Sequence, residues 1–256
     1  MNSEIISRKW LLVSELYPHP TVQGEGPSIG RRCTFLRLGG CNLQCGINGG
    51  WKCDTPYTWD FRGVLGHRYD PRVELTRVTV HEVVSWLKGH VIRGVDLLVI
   101  TGGEPLLQQA GLCELIRISC SEFPDLEFEI ETNGTIRPRT LTELPSASRV
   151  SFNVSPKLSN SGNPRDQRIN LEALRDFTRT RAIYKFVVSS PGDLDEIDDL
   201  ISQVGIPRRR VYLMPEGTDS ETVSRHLTAL ADLAIERGYN LTTRLHIILW
   251  GKERLR

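Results

Sequence analysis

Long apolar runs are missing from the first part of this 256-residue chain. The longest early one, Trp10 to Val13, is four residues, against about 7 to 15 for a signal-peptide core and about 20 for a membrane span. The expectation is a cytoplasmic protein that engages no membrane. A dominant charge is missing too: 32 basic and 31 acidic residues give a formal net charge of +1, so no overall field draws the chain to nucleic acid or to an anionic surface. Repeats with periods of about 20 to 50 residues, low-complexity tracts and linkers are also absent. Residues 1–256 therefore read as a single domain, with 39% hydrophobic and 25% charged residues, in the ordinary globular range.

Short apolar runs of strand type alternate with helical patterns, which predicts βα units and a mostly parallel sheet. The strand candidates are Thr34 to Leu38, Leu97 to Thr101, Leu126 to Thr132, Val150 to Val154, Ile183 to Val188, Val211 to Met214 and Leu245 to Leu249. Between them, Thr79 and Glu82 form a capping box ahead of Val80, Val83, Val84 and Leu87. A later helix from about Asp219 to Arg237 buries Val223, Leu227, Leu230 and Ala234 and stops at Gly238. Several strands end in polar or Gly- and Pro-containing phrases: Thr101-Gly-Gly-Glu-Pro105, Glu131-Thr-Asn-Gly134, Asn153-Val-Ser-Pro-Lys157 and Pro215-Glu-Gly217. Functional groups in parallel α/β sheets and barrels gather at the carboxyl ends of strands, so these phrases are candidates to meet at one cavity. Each also reads as an ordinary turn.

Four of the six cysteines, Cys33, Cys41, Cys45 and Cys53, crowd into one stretch, whereas Cys113 and Cys120 fall in a helical pattern with Leu112, Leu115 and Ile116. In a reducing compartment such clustering favours metal or catalytic work over disulfides. Cys41, Cys45 and Cys53 are spaced to face one loop-borne site, and a cubane held by three thiolates leaves one iron open for another ligand. A four-cysteine zinc site that includes Cys33, or unligated cysteines packed as small apolar groups, are the alternatives. Cys33 opens a strand and reads as a packed thiol.

Together with Gly102-Gly-Glu-Pro105, this segment resembles the radical S-adenosylmethionine superfamily. The usual two residues before the third cysteine are here the seven of Gly46-Ile-Asn-Gly-Gly-Trp-Lys52. Closing the longer loop costs only about 1 kcal/mol of entropy, and Gly46, Gly49 and Gly50 let it fold back. Across almost the whole chain the resemblance narrows to 7-carboxy-7-deazaguanine synthases. It is carried by Thr21-Val-Gln-Gly-Glu-Gly26, Phe35-Leu-Arg-Leu-Gly-Gly-Cys41, Cys53-Asp-Thr55 with Tyr57-Thr-Trp59, Ser155-Pro-Lys157, and Leu245-His246 before Leu249-Trp-Gly251.

That resemblance implies a distorted or partial (βα)6-type barrel with the cluster loop at 41–53. It implies a lyase in which a reduced four-iron four-sulfur cluster splits S-adenosylmethionine. The resulting 5′-deoxyadenosyl radical takes a hydrogen from carbon 6 of 6-carboxy-5,6,7,8-tetrahydropterin, and ring contraction with loss of ammonia gives 7-carboxy-7-deazaguanine, a queuosine precursor. It places Lys52, Cys53, Asp54, Gly102, Gly103, Glu104, Asn133, Ser155, Pro156 and Lys157 around the cofactor. Val22, Gln23, Gly24, Glu25, Arg37, Thr101 and His246 fall around the substrate, and Thr55 on a magnesium ion. Arg37 suits the substrate carboxylate because a guanidinium makes two-point contact; a structural ion pair is the other reading. A homodimer and an electron donor such as flavodoxin are implied as well. Rival readings are an activating enzyme that works on a protein partner and a non-catalytic zinc-stabilised binding protein. Anaerobic reconstitution with iron and sulfide separates these chemistries: a brown protein with broad visible absorption is expected, and a colourless protein carrying one zinc would overturn the cluster.

Overall fold

The computed structural model describes residues 9–256. Ten strands form its sheet: β1 (Trp10–Leu16), β2 (Thr21–Val22), β3 (Arg32–Leu38), β4 (Thr76–Thr79), β5 (Leu97–Gly102), β6 (Glu127–Thr132), β7 (Val150–Val154), β8 (Ala182–Val188), β9 (Val211–Pro215) and β10 (Asn240–Leu241). The path runs β10-β9-β8-β7-β6-β5-β3-β1-β4, with β2 paired to β3. All pairings from β3 through β10 are parallel, whereas β1 lies antiparallel between β3 and β4. The sheet is not closed, so the expected partial barrel is what the chain forms. Its mostly parallel fold also follows from monotonic order: right-handed crossovers between neighbours put every connecting helix on the same face.

Alternation along the strands then divides the side chains. Leu36, Leu38, Leu98, Ile100, Phe128, Ile130, Phe152, Val154, Tyr184 and Phe186 point to the helices and form the main core. Full burial of such a side chain is worth about 1.5–3 kcal/mol. Phe152 meets Phe177 edge-on at 5.2 Å, and the buried Tyr184 hydroxyl donates to the Leu174 carbonyl at 2.8 Å. On the opposite face Cys33, Leu97 and Val99 make a small apolar layer under Phe35. Further along those strands the same face turns polar, with Arg37, Thr101, Glu131, Asn153 and Lys185. Register sets Arg37 beside Thr101 and Glu131 beside Asn153. Here the sheet stops being scaffold.

Two expectations change. Leu245 to Leu249 is not a strand; Leu245–Trp250 is a short helix. An apolar run of that length does not distinguish the two, and β10, just before it, already takes the edge of β9. β1, β4, β2 and β10 were not anticipated, because β1 and β4 form an antiparallel extension outside the βα rhythm and the other two are each two residues long. The capping box is present: Thr79 Oγ1 accepts from Glu82 N at 3.2 Å and the Glu82 carboxylate from Thr79 N at 2.7 Å. The helix Ser220–Arg237 starts at Asp219 and stops at left-handed Gly238, with Leu227 half-buried. Thr79→Ala is expected to cost about 1 kcal/mol, read as a lowered urea midpoint with unchanged slope; an unchanged midpoint would show that the box does not support this helix.

Candidate active site

The carboxyl ends of β3 and β5 to β9 open into one cavity of about 820 Å³. Cys41, Cys45 and Cys53 lie on its wall, as do Lys52, Asp54, Thr55, Gly102, Gly103, Asn133, Ser155 and Lys157. From the other side come Val22, Gln23, Gly24, Glu25, Arg37, Thr101 and His246. Glu104 and Pro156 do not line it. Glu104 is fully buried and its carboxylate accepts from Leu106 N at 3.0 Å, Thr132 Oγ1 at 2.7 Å and Asn133 N at 2.7 Å. It brackets the end of β5 to the end of β6, and burial raises its pKa against those three donors.

The three cysteines are held by different parts of the chain. Cys41 follows the Gly39-Gly40 exit from β3, where Gly103 packs so closely that a Cβ would lie 2.0 Å from the Gly40 carbonyl. Each sulfur receives an N–H: Cys41 from Leu43 N at 3.5 Å, Cys45 from Asn163 Nδ2 at 3.3 Å and Cys53 from Trp59 Nε1 at 3.4 Å. Burial pushes the Cys41 thiol up to about 12 and the Cys53 thiol up to about 11. Cys33 lies in the separate apolar layer, so the four-cysteine zinc set is not assembled. Among the described residues no three His, Cys, Asp or Glu side chains gather closely enough for a single ion. Three thiols spread over one wall, each met by an N–H, suit a larger sulfur-bridged cluster. Cys113 and Cys120 are half-buried against the main core.

The seven-residue insertion is docked, not free. Gly46 and Gly49 pair across a tight turn, and the segment lies on residues 160–162: Gly46 N donates to Ser161 O at 2.9 Å, Trp51 N to Asn160 O at 3.1 Å and Trp51 Nε1 to Asn160 Oδ1 at 2.9 Å. At Gly50, with a φ of +79°, a Cβ would meet the Asn160 carbonyl at 2.0 Å. Trp51 thereby becomes a wall of the cavity, and the Lys157 ammonium sits 5.5 Å from its ring, a cation–π distance. Lys157 also donates to Ser155 Oγ at 3.0 Å.

The opposite wall is a charge network. Lys185 of β8 pairs with Glu25 and lies 3.8 Å from Glu131. Arg244 pairs with Glu25 at 3.2 Å, with Asp54, and with the Gly217 carbonyl at 2.6 Å. Burial pulls the Glu25 pKa upward, but Lys185 and Arg244 outweigh it and hold Glu25 well below the carboxylate range. Burial pulls Lys185 down, and Glu25 and Glu131 raise it above the usual lysine value. His246, in the first turn of its helix, has its pKa lowered, chiefly by burial. Gly24 makes room for it, since a Cβ there would lie 2.2 Å from His246 Nδ1. Gln23 Nε2 donates to Glu129 and, at 3.3 Å, to Glu131, which also accepts from Thr101 at 2.8 Å. Arg37 is in the ion pair read as its alternative role: its Nε donates to Glu15 at 2.6 Å and its Nη2 to Tyr17 at 3.2 Å.

Sequence reasoning passed over Glu15, Lys185, Arg244 and Asn163, and named Glu131 only as part of a strand-end phrase, with no role of its own. A signal existed for two of them: Glu131 alternates with apolar residues in Glu127–Thr132, and Lys185 interrupts Ala182–Val188, an apolar strand. Neither charge is tolerable on a buried face without a partner.

A family model described as a 4Fe-4S single cluster domain matches residues 22–176. The 7-carboxy-7-deazaguanine synthase of Pyrobaculum aerophilum is 34% identical over 238 residues, covering 91% of this chain and 93% of that protein. The 7-carboxy-7-deazaguanine synthase of Rhodopirellula baltica is 32% identical over 262 residues, covering 97% and 90%. The crystal structure of QueE from Escherichia coli shares the fold, with a TM-score of 0.65 at 22% identity over 96% of this chain and 100% of that one.

Removing the buried cation tests the network. Lys185→Met is expected to lower stability at neutral pH by about 3 kcal/mol, because Glu131 loses its cation and Glu25 keeps only Arg244. The pH dependence follows from Glu25. Its folded-state pKa is depressed, so its contribution is present above the ordinary carboxylate range and lost on acidification. The gap between variant and wild type therefore narrows as pH falls through that range; urea unfolding at neutral and acidic pH measures it, and a pH-independent gap would contradict the pairing.

Proposed function

The chain belongs to the 7-carboxy-7-deazaguanine synthase family, and from that premise we propose how its cavity converts 6-carboxy-5,6,7,8-tetrahydropterin to 7-carboxy-7-deazaguanine with loss of ammonia. The protein is a radical S-adenosylmethionine lyase of deazapurine biosynthesis. The observation that carries this reading is the meeting, on one cavity, of three N–H-capped cysteines with the polar ends of six parallel strands.

Cys41, Cys45 and Cys53 would hold the cluster at the wall of the cavity that would take S-adenosylmethionine. When bound, these groups supply hydrogen-atom abstraction at carbon 6 of the pterin; the protein supplies orientation and electrostatics. The backbone edge at Gly102 and Gly103 and the side chains of Asn133, Ser155 and Lys157 would line the cofactor. Lys52 and Asp54 flank the third cysteine. Trp51, braced by Asn160 and facing Lys157, adds a flat apolar surface on that side.

On the substrate side, Gln23, Glu25 and Thr101 offer donors and acceptors for a pterin edge. Glu25 stays ionised, held down by Lys185 and Arg244, so it accepts hydrogen bonds from the ring's N–H groups and does not release a proton. His246, against Gly24, would meet the carboxylate, and Arg37, on the cavity wall while its Nε and Nη2 are held by Glu15 and Tyr17, would add its positive charge to that side. Thr55 is the proposed magnesium ligand: it precedes a short turn that its side chain does not cap, its hydroxyl lies on the cavity wall 3.7 Å from Cys53 Sγ, and magnesium favours hard oxygen ligands shared with a substrate. The family resemblance supports a homodimer, a one-electron donor such as flavodoxin and a cytoplasmic setting. Among the described residues no helix is long and apolar enough to cross a membrane.

The deciding experiment is an anaerobic assay of the reconstituted protein with carboxytetrahydropterin, S-adenosylmethionine, reductant and magnesium. 7-Carboxy-7-deazaguanine is the expected product; 5′-deoxyadenosine without it would mean another substrate. Thr55→Ala is expected to raise the magnesium requirement or abolish turnover, and an unaltered magnesium dependence would remove Thr55 as a ligand.

A further inference from the structure

The N–H groups aimed at the cysteine sulfurs are built into the fold. Sulfur is a weak acceptor as a thiol and a better one as a charged thiolate, yet two side-chain donors are committed to it. Asn163 Oδ1 accepts from Gln44 N at 3.0 Å, which fixes the amide so that its nitrogen faces Cys45. Its backbone carbonyl is held in turn by Arg168 Nε at 3.1 Å, and the residue is 6% exposed. Trp59 carries a donor and no acceptor. It is placed by the turn in which Trp59 N donates to Pro56 O at 3.0 Å, and that turn is tied to the exit of β3 through Gly40 N to Thr58 O at 2.8 Å. The indole thus reaches Cys53 from a segment anchored on the strand that leads to Cys41.

We propose that Trp59 and Asn163 set the reduction potential of the cluster by donating to the thiolates of Cys53 and Cys45. The inference rests on the reading of Cys41, Cys45 and Cys53 as cluster ligands. Taking up one electron makes the cluster and its sulfurs more negative, and an N–H dipole pointing at sulfur stabilises that state more than the oxidised one. Hydrogen bonds to sulfur are one of the terms that fix such potentials. The two residues act through the cysteines and touch neither cofactor nor substrate in this role, so they are positioning residues.

The test is an anaerobic redox titration of the reconstituted protein followed by electron paramagnetic resonance, with iron and sulfide content measured in parallel. Trp59→Phe keeps the ring and deletes the N–H. It is expected to load iron and sulfide as the wild type does and to move the midpoint to more negative potential. At a fixed solution potential the ratio of reduced to oxidised cluster should fall about tenfold, or about 59 mV for one electron. Asn163→Leu should shift the midpoint in the same direction. An unchanged or more positive midpoint in a loaded variant overturns the proposal and leaves the cluster reading intact. Failure of both variants to load, where the wild type loads, makes the contacts scaffold and overturns it as well. A wild type that takes up no iron overturns the cluster reading itself.

Discussion

An ammonium in the middle of a sheet, away from water, has to be neutralised where it stands. Lys185 is 4% exposed, and the acids that neutralise it come from distant segments: Glu25 from the loop after β2 and Glu131 from the end of β6. Glu25 also binds Arg244, and Arg244 binds Asp54 beside the third cysteine. One chain of charges therefore joins the early loop, the centre of the sheet, the cysteine loop and the carboxyl-terminal helix. Outside the strands, none of these segments adds a residue to the main core, so the network fixes the shape of the cavity wall. Such a wall specifies position more than it adds stability, since buried ion pairs return little beyond their desolvation cost.

The sequence is legible where local pattern and final environment coincide. The six central strands and the helix after Thr79 were recognisable because short apolar runs and capping are both written within a dozen residues. The convergence of Thr101, Asn133, Asn153 and Ser155 was legible through topology, since parallel strands in chain order put their carboxyl ends together. What was missed is long-range. Nothing near Arg244 announces Glu25 or Asp54 as partners, and Leu245 to Leu249 has the β-branched content of a strand but finds no sheet edge to join. Arg37 carried a structural ion pair as its other reading, but the partner could not be named: Glu15 sits on a strand that the βα rhythm does not predict.

The enlarged cysteine loop shows how an insertion is accommodated. Its extra closure entropy is small, about 1 kcal/mol, so the larger problem is a set of backbone polar groups that need partners near a buried site. Residues 160–162 provide them, and both sides have given up side chains to do so: a Cβ on Gly50 would strike the Asn160 carbonyl, and one on Gly162 would lie 2.3 Å from the Gly49 carbonyl. Asn160 is itself fixed by the Val187 carbonyl and by Asp193. The insertion is thus continuous with the β8 edge of the cavity, and Trp51 is held there by two hydrogen bonds to Asn160.

Burial makes opposing demands on the three cysteines. A water-poor wall suits a reactive centre because it strengthens every electrostatic contact and limits side reactions, but the same burial raises the thiols far above neutrality. Metal ligation requires thiolates, so on the proposed cluster reading each sulfur would lose a proton as iron arrives. Burial raises Cys45 as well, with the Lys157 ammonium working against it, yet a full set of fixed cations here would repel the positively charged sulfonium of S-adenosylmethionine. N–H dipoles from Leu43, Asn163 and Trp59 favour the thiolate without adding net charge. On the proposed cluster reading they offset the burial of three anionic sulfurs, and because they favour negative charge on sulfur whatever its source, groups that ease assembly of the cluster would also bear on its reduction.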